Sequence, residues 1–281
     1  MAKQTAKRRS TRRKPSTIDR ISDPISPSYK PAYKLLDKVA IITGGDSGIG
    51  RSVAIHYAKE GAHVAIVYLS SDGDAKETQA MVELEGRNCL LIKGDIANEA
   101  FCRKMVRQVH KHFGKLSILV NNAAQQEVNT DFMDVTGKQV RHTFEVNILS
   151  FFYCTHEALK LLDDDGCIIN TTSVTAYRGS EHLVDYSSTK GAIVSFTRSL
   201  AKNLAEKGIR VNAVAPGPIW TPLIFDTFDE KHIREFGKKT PMCRAGYPYE
   251  VAPAYVFLAS TDASYITGQV LHVNGGEVVG G

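Results

Sequence analysis

Seven short apolar runs alternate with stretches of helical spacing from about residue 38 onward, and this alternation limits what the chain can fold into. The runs are KVAIITGG (38–45), HVAIVYL (63–69), NCLLIKGD (88–95), LSILVNNAA (116–124), CIINTTS (167–173), RVNAVAPG (210–217) and QVLHVNGG (269–276). Each is the length of a strand and rich in branched aliphatic residues. The runs are continuously apolar rather than alternating, so both faces of each strand are expected to be covered. Between them, 51–61, 74–86, 99–114, 138–162, 185–207 and 249–260 read as helices. Strand, helix, strand with right-handed crossovers gives an α/β fold built on a doubly wound parallel sheet of about seven strands. Ligands of such sheets bind beyond the carboxyl ends of the strands, where the strand order reverses.

Charge separates one end of the chain from the rest. Residues 1–34 carry ten Lys/Arg against two Asp/Glu, while the other 247 carry 25 against 28. The leader MAKQTAKRRSTRRKPSTIDR has too little apolar surface to build a core and is expected to be disordered. Its readings stay open between a solvated arm, contact with nucleic acid or an anionic surface, and an import signal. Residues 21–36, with three prolines and two tyrosines, read as an extended arm lying on a surface, its own or a neighbouring subunit's. The division expected is therefore 1–36 as leader and arm, and 37–281 as one folded domain. Residues 219–248, rich in Phe, Pro and Gly, are expected to form a lid over the substrate.

Several classes are set aside. No run of about 18 apolar residues marks a membrane span. Residues 1–20 lack the apolar segment of a secretory signal, so a cytoplasmic location is expected. The five cysteines form no CxxC pair and the nine histidines form no HExxH motif, so neither disulfides nor a metal is expected.

The first strand leads into TGGDSGIG (43–50), with Gly44, Gly48 and Gly50 spaced through the turn and Asp46, Ser47 and Ile49 between them. Glycines let a backbone turn sharply and approach a phosphate closely. The helix that follows offers free N–H groups and a positive dipole end to a pyrophosphate. A carboxylate at the end of the second strand would favour NAD. Tyr68 stands there instead, with no Arg or Lys beside it or at Ser47 for a 2′-phosphate, so the choice between NAD and NADP stays open. Further on, YSSTKGA (186–192) places Tyr186 and Lys190 one helical turn apart on one face. A nearby ammonium and a nicotinamide cation are expected to stabilise the phenolate and lower the tyrosine's pKa, fitting it for proton transfer.

These motifs, with Asp95 in GD, NNAA at 121–124, Asn147, Ser173 and PGPIWTP at 216–222, occur in an order that resembles the short-chain dehydrogenase/reductase family in its non-extended form. The resemblance runs from about Lys38 to Gly276. The leader, the TGGDSGIG loop and PGPIWTP are similar to a bacterial subgroup that includes glucose/ribitol dehydrogenase-like and general-stress proteins. Ala124 departs from the glycine usual in the family. The resemblance implies a Rossmann-type domain that transfers hydride between NAD or NADP and an alcohol or carbonyl group. The expected substrates are sugars, polyols, or small aldehydes and ketones. It implies Tyr186 as acid/base, Lys190 tuning it and bonding the nicotinamide ribose, Ser173 orienting the carbonyl, and Asn147 anchoring a water relay to Lys190. It places Asp95 and Ile96 near the adenine, Asn122 and Ala123 behind the ribose, and Pro216, Gly217, Ile219 and Thr221 at the nicotinamide. Substrate choice is expected to lie in the lid and around Tyr177, His182 and Trp220. The helices at 138–162 and 185–207 would pair in a homotetramer. The rivals are a dinucleotide-binding sensor without useful turnover and a nucleic-acid-associated protein acting through the leader.

Overall fold

The computed structural model describes residues 24–279. The expectations for residues 1–23, including nucleic-acid contact, lie outside the described residues. All seven expected strands are present: β1 Val39–Thr43, β2 His63–Tyr68, β3 Cys89–Lys93, β4 Ile118–Asn121, β5 Cys167–Thr171, β6 Arg210–Pro216 and β7 Val270–Val273. They form one wholly parallel sheet in the order β3-β2-β1-β4-β5-β6-β7. The chain builds outward one way from β1, then returns to the other side of it at β4. The crevice between β1 and β4 is therefore the reversal point at which such sheets bind ligands.

The helices are α1 Gly48–Lys59, α2 Asp72–Leu84, α3 Glu99–Phe113, α4 Gly137–Phe144, α5 Ser150–Ala158, α6 Thr175–Arg178, α7 Val184–Leu204, α8 Pro222–Thr227, α9 Glu230–Glu235 and α10 Pro248–Ala259. Two cores explain the continuous apolar strands. Ala40 and Ile42 of β1 face a core with Val53 and Tyr57 of α1, Ala75 of α2 and Tyr255 of α10. Val39 and Ile41 face the other core with Met105 of α3, Cys154 of α5 and Leu204 of α7. A strand covered on both faces has no position left for a polar residue, so the period-two signal is lost. Local chemistry sets the helix ends: Asn98 accepts from the Phe101 N–H to begin α3, and Gly114 at φ 78° ends it.

Two helical stretches are broken where their spacing is unbroken. The 138–162 stretch is α4, a widened π turn at Glu145–Leu149, and α5. The cause is Asn147, whose buried side chain bonds outside the helix. Residues 225–239, FDTFDEKHIREFGKK within the expected lid, also have helical spacing, with Phe225, Phe228, Ile233 and Phe236 on the apolar side. That stretch splits at Phe228, because Asp229 caps α9 through the His232 N–H at 2.9 Å. The short α6 carries no helical signal of its own.

The arm docks on its own chain. The buried carboxylate of Glu60, just past α1, accepts from the Tyr29 hydroxyl and from the Ala32 and Lys34 N–H groups. Leu35 is buried in the core, and Tyr29 sets its ring edge-on to His56 at 4.5 Å. His56 is itself buried, with Nδ1 2.7 Å from the Ser52 carbonyl oxygen and Nε2 without a hydrogen-bond partner.

Burial depresses the His56 pKa to about 4 from 6.5. The unfolded chain therefore binds the proton more readily than the folded chain. The stability associated with neutral His56 is fully present above pH 6.5 and is lost as the pH falls toward 4. Urea unfolding across this window is expected to show a loss on the order of 3 kcal/mol from this group. The His56→Gln variant should flatten that part of the profile. An identical profile in the variant would remove His56 as its source.

Candidate active site

A cleft of about 450 Å³ opens along the carboxyl ends of β1, β2, β3, β4, β5 and β6. Its floor at the reversal point is the glycine loop. Gly44 and Gly48 take φ of 64° and 53°, a region glycine enters freely. Gly50 does not line the cleft. A Cβ there would lie 1.9 Å from the Gly44 carbonyl oxygen, so its lack of a side chain lets α1 close under the loop. No acidic residue occupies the first turn of α1, and Ser47 makes no capping bond, which leaves the helix N-terminus open to an anion. Asp46 lies on the cleft wall, and burial pushes its carboxyl pKa up. The cradle fits the pyrophosphate of a dinucleotide.

Tyr68, Asp95 and Ile96 line one end of the cleft with Ser70 and Ser71. The Tyr68 hydroxyl donates to Asp72 at 2.9 Å, and Lys93 pairs with the other oxygen of Asp72 at 2.7 Å. Arg51 is held by Glu77 at 2.7 Å and Asp74 at 3.3 Å. The cations near this end are thus paired with acids, and the residue closing β2 is a phenol rather than a carboxylate.

The other end gathers Ser173, Tyr186 and Lys190. The Lys190 Nζ lies 5.2 Å from the centre of the Tyr186 ring and donates to the Thr171 carbonyl oxygen at 2.9 Å. Burial lowers the amine to about 7, so near neutral pH it carries its charge only part of the time. Burial also pushes the Tyr186 phenol up to about 12, with a hydrogen bond to Ser173 acting in the opposite direction. Burial is thus the dominant influence on the phenol, whereas the lowering expected from the sequence counts a nicotinamide cation beside it as well as the ammonium. The Ser173 Oγ accepts from the Thr175 N–H at 3.2 Å and the Thr175 hydroxyl at 3.1 Å.

Asn122, Ala123, Pro216, Gly217, Ile219 and Thr221 line the wall between the two ends, with Ile49 beside the loop. Asn147 does not reach the cleft. It is buried behind it, with Oδ1 accepting from the Gln125 N–H at 2.8 Å and Nδ2 donating to the Gln125 carbonyl at 2.9 Å and to Thr189 at 3.2 Å. Trp220 also stays out of the cleft, stacked on Phe225 at 5.6 Å and tilted against Phe236 at 5.0 Å. Tyr177 and His182 are likewise absent from its walls, Tyr177 resting edge-on against His272. The walls instead include Gln125, Gln126, His142, Leu223, Ile224 and Asp226. Gln125 and Gln126 directly follow NNAA, and that position was the signal available for them in the sequence. Among the described residues no group of His, Cys, Asp and Glu side chains could hold a metal ion, and no helix is long and apolar enough to cross a membrane.

Comparison with known proteins agrees with this geometry. A family model described as enoyl-(acyl carrier protein) reductase matches residues 44–277. General stress protein 39 of Bacillus subtilis (strain 168) is 54% identical over 251 residues, covering 89% of this chain and 88% of that protein. The glucose and ribitol dehydrogenase of Daucus carota is 50% identical over 262 residues, covering 91% and 90%. A short chain dehydrogenase from Burkholderia cenocepacia J2315, solved in complex with NADP, superposes with a TM-score of 0.82 at 32% identity, covering 86% of this chain and 98% of that one. The chain belongs to the short-chain dehydrogenase/reductase family and is an oxidoreductase.

The Gly44–Gly50 contact gives a direct test of the cradle. Gly50→Ala must push the loop off α1, with an overpacking cost of about 1–3 kcal/mol. Thermal unfolding should move down, and calorimetric titration with NADPH or NADH should show affinity weakened by at least about tenfold. Unchanged affinity would mean that the loop does not hold the dinucleotide.

Proposed function

We propose that the chain reduces carbonyl compounds and oxidises the corresponding alcohols, with sugars, polyols, or small aldehydes and ketones as substrates. The observation that carries this reading is the placement of Tyr186, Lys190 and Ser173 together at one end of a cleft whose floor is a glycine cradle. A nicotinamide dinucleotide bound along that cleft would supply or accept the hydride. Its diphosphate would be held by Gly44, Ser47, Gly48 and Ile49, and its adenosine by Tyr68, Asp95 and Ile96. Asn122, Ala123, Pro216, Gly217, Ile219 and Thr221 would hold the remainder. NADP is favoured over NAD by the missing carboxylate at the end of β2 and by the NADP-bound relative.

The residues divide the proton chemistry. The Tyr186 hydroxyl holds the proton that the carbonyl oxygen receives, and takes it back in the reverse direction. The Ser173 hydroxyl bonds the same oxygen and stabilises the charge that develops on it. Lys190 sits against the Tyr186 ring and favours the phenolate whenever it is protonated, offsetting the burial that holds the phenol near 12. The amide atoms of Asn147 are committed to Gln125 and Thr189. A relay toward Lys190 would therefore start from the widened turn that Asn147 holds rather than from its side chain.

Leu149, at the end of the widened turn, and Phe152 are exposed, and Phe152 is tilted against Phe196 of α7 at 4.4 Å. This apolar surface on α5 and α7 supports a homotetramer joined through these helices. A cytoplasmic location is part of this reading.

The test is nicotinamide absorbance over time, with both cofactors and a panel of sugars, polyols, aldehydes and ketones. Tyr186→Phe is expected to lower kcat by about 10²–10⁴-fold, the range of a general acid. Ser173→Ala should lower it by a smaller factor. Both variants should keep their affinity for the dinucleotide. Turnover that survives intact in Tyr186→Phe would exclude the acid/base assignment.

A further inference from the structure

One wall residue is held more tightly than wall packing requires. Both backbone groups of Gln125 are bonded by the single side chain of Asn147, at 2.8 and 2.9 Å. Its side-chain amide is also fixed, and hydrogen-bond chemistry sets its direction. The buried Asp185, one residue before Tyr186, is a carboxylate and can only accept. Its Oδ1 takes the Tyr186 N–H at 2.8 Å. Its Oδ2 takes the Gln139 Nε2 at 3.1 Å and the Thr143 hydroxyl at 2.7 Å.

Thr143 has one proton to give, and Asp185 receives it. The Thr143 oxygen, 3.0 Å from the amide of Gln125, is then restricted to accepting. The end of Gln125 that meets it must be the nitrogen, an orientation that follows from the network. The carbonyl oxygen of Gln125 is left at the free end of the amide. It accepts no hydrogen bond among the described residues and is not buried, on a side chain that lines the cleft. The neighbouring wall carries the apolar Leu223 and Ile224 together with the polar His142, Asp226 and Gln126, whose amide nitrogen is tied to Thr227 at 3.2 Å.

We infer that Gln125 is a fixed hydrogen-bond acceptor that recognises a substrate hydroxyl next to the reacting carbon, making α-hydroxy carbonyl compounds and the matching vicinal diols the preferred substrates. The inference rests on the reductase reading above and narrows it. An acceptor locked by a buried carboxylate cannot turn to donate, so a substrate without the hydroxyl offers it no partner. Asp185 and Thr143 are positioning residues here, acting through Gln125 rather than touching the substrate.

The experiment compares isosteric pairs, hydroxyacetone with butanone and lactaldehyde with isobutyraldehyde, each assayed with NADPH on the full chain. The parent is expected to favour the hydroxyl member of each pair by about tenfold in kcat/KM, the worth of one net hydrogen bond at the upper end of its range. In Gln125→Leu the ratio should fall to near 1. Thr143→Val keeps Gln125 but frees its amide to turn, and should also lower the ratio. NADPH titration by calorimetry shows whether each variant keeps a folded site. Equal rates within each pair for the parent, or a preference that persists in Gln125→Leu, would overturn the assignment. Turnover insensitive to Tyr186→Phe would instead overturn the reading on which it rests.

Discussion

One asparagine holds the site in shape. By bonding the N–H and the carbonyl of Gln125 together, the Asn147 side chain replaces the strand partner that β4 lacks once it has passed the edge of the sheet. The same amide reaches Thr189, whose hydroxyl donates to the Tyr186 carbonyl at 2.6 Å. One side chain therefore joins the segment after β4, the widened turn between α4 and α5, and the second turn of α7. Buried backbone groups that leave a sheet must find partners, and here the partner also spaces the reactive helix from the cleft wall. The widened turn is the geometric cost of turning that amide away from its own helix.

Buried polar groups dominate the reaction end, and each alters its neighbour. Lys190 is among the largest fully buried side chains of the described residues. Its amine is lowered toward neutrality while the phenol beside it is raised. Burial favours the neutral form of both groups. Asp185 provides the contrasting case, a buried carboxylate whose two oxygens are fully occupied by donors and which therefore acts as a fixed reference for the hydrogen bonds around it.

The strands were legible because their apolar runs were short, branched and stopped by small residues, and the doubly wound parallel sheet followed from the crossover rules. The glycine loop and the Tyr186–Lys190 pair were legible because their spacing has a physical reason. What the sequence concealed depends on contacts between distant segments. Asn147 looks like a weak helix former until Gln125 is brought beside it. The break at Phe228 depends on Asp229 acting as a cap rather than as one more surface acid. Trp220, expected near the substrate, is held by two phenylalanines, a choice that spacing alone leaves open. The direction of the Tyr186 shift could not be read from neighbours in sequence, because desolvation is a property of the packed site.

The packing of Trp220 has a consequence beyond its absence from the cleft. It is the single tryptophan of the chain, and its ring is stacked on Phe225 of α8 and tilted against Phe236 just after α9. Its near-ultraviolet emission therefore comes from one place, the contact between the segment before α8 and the two short helices. The molecule carries an intrinsic optical reporter, and any rearrangement of that segment is visible without a label.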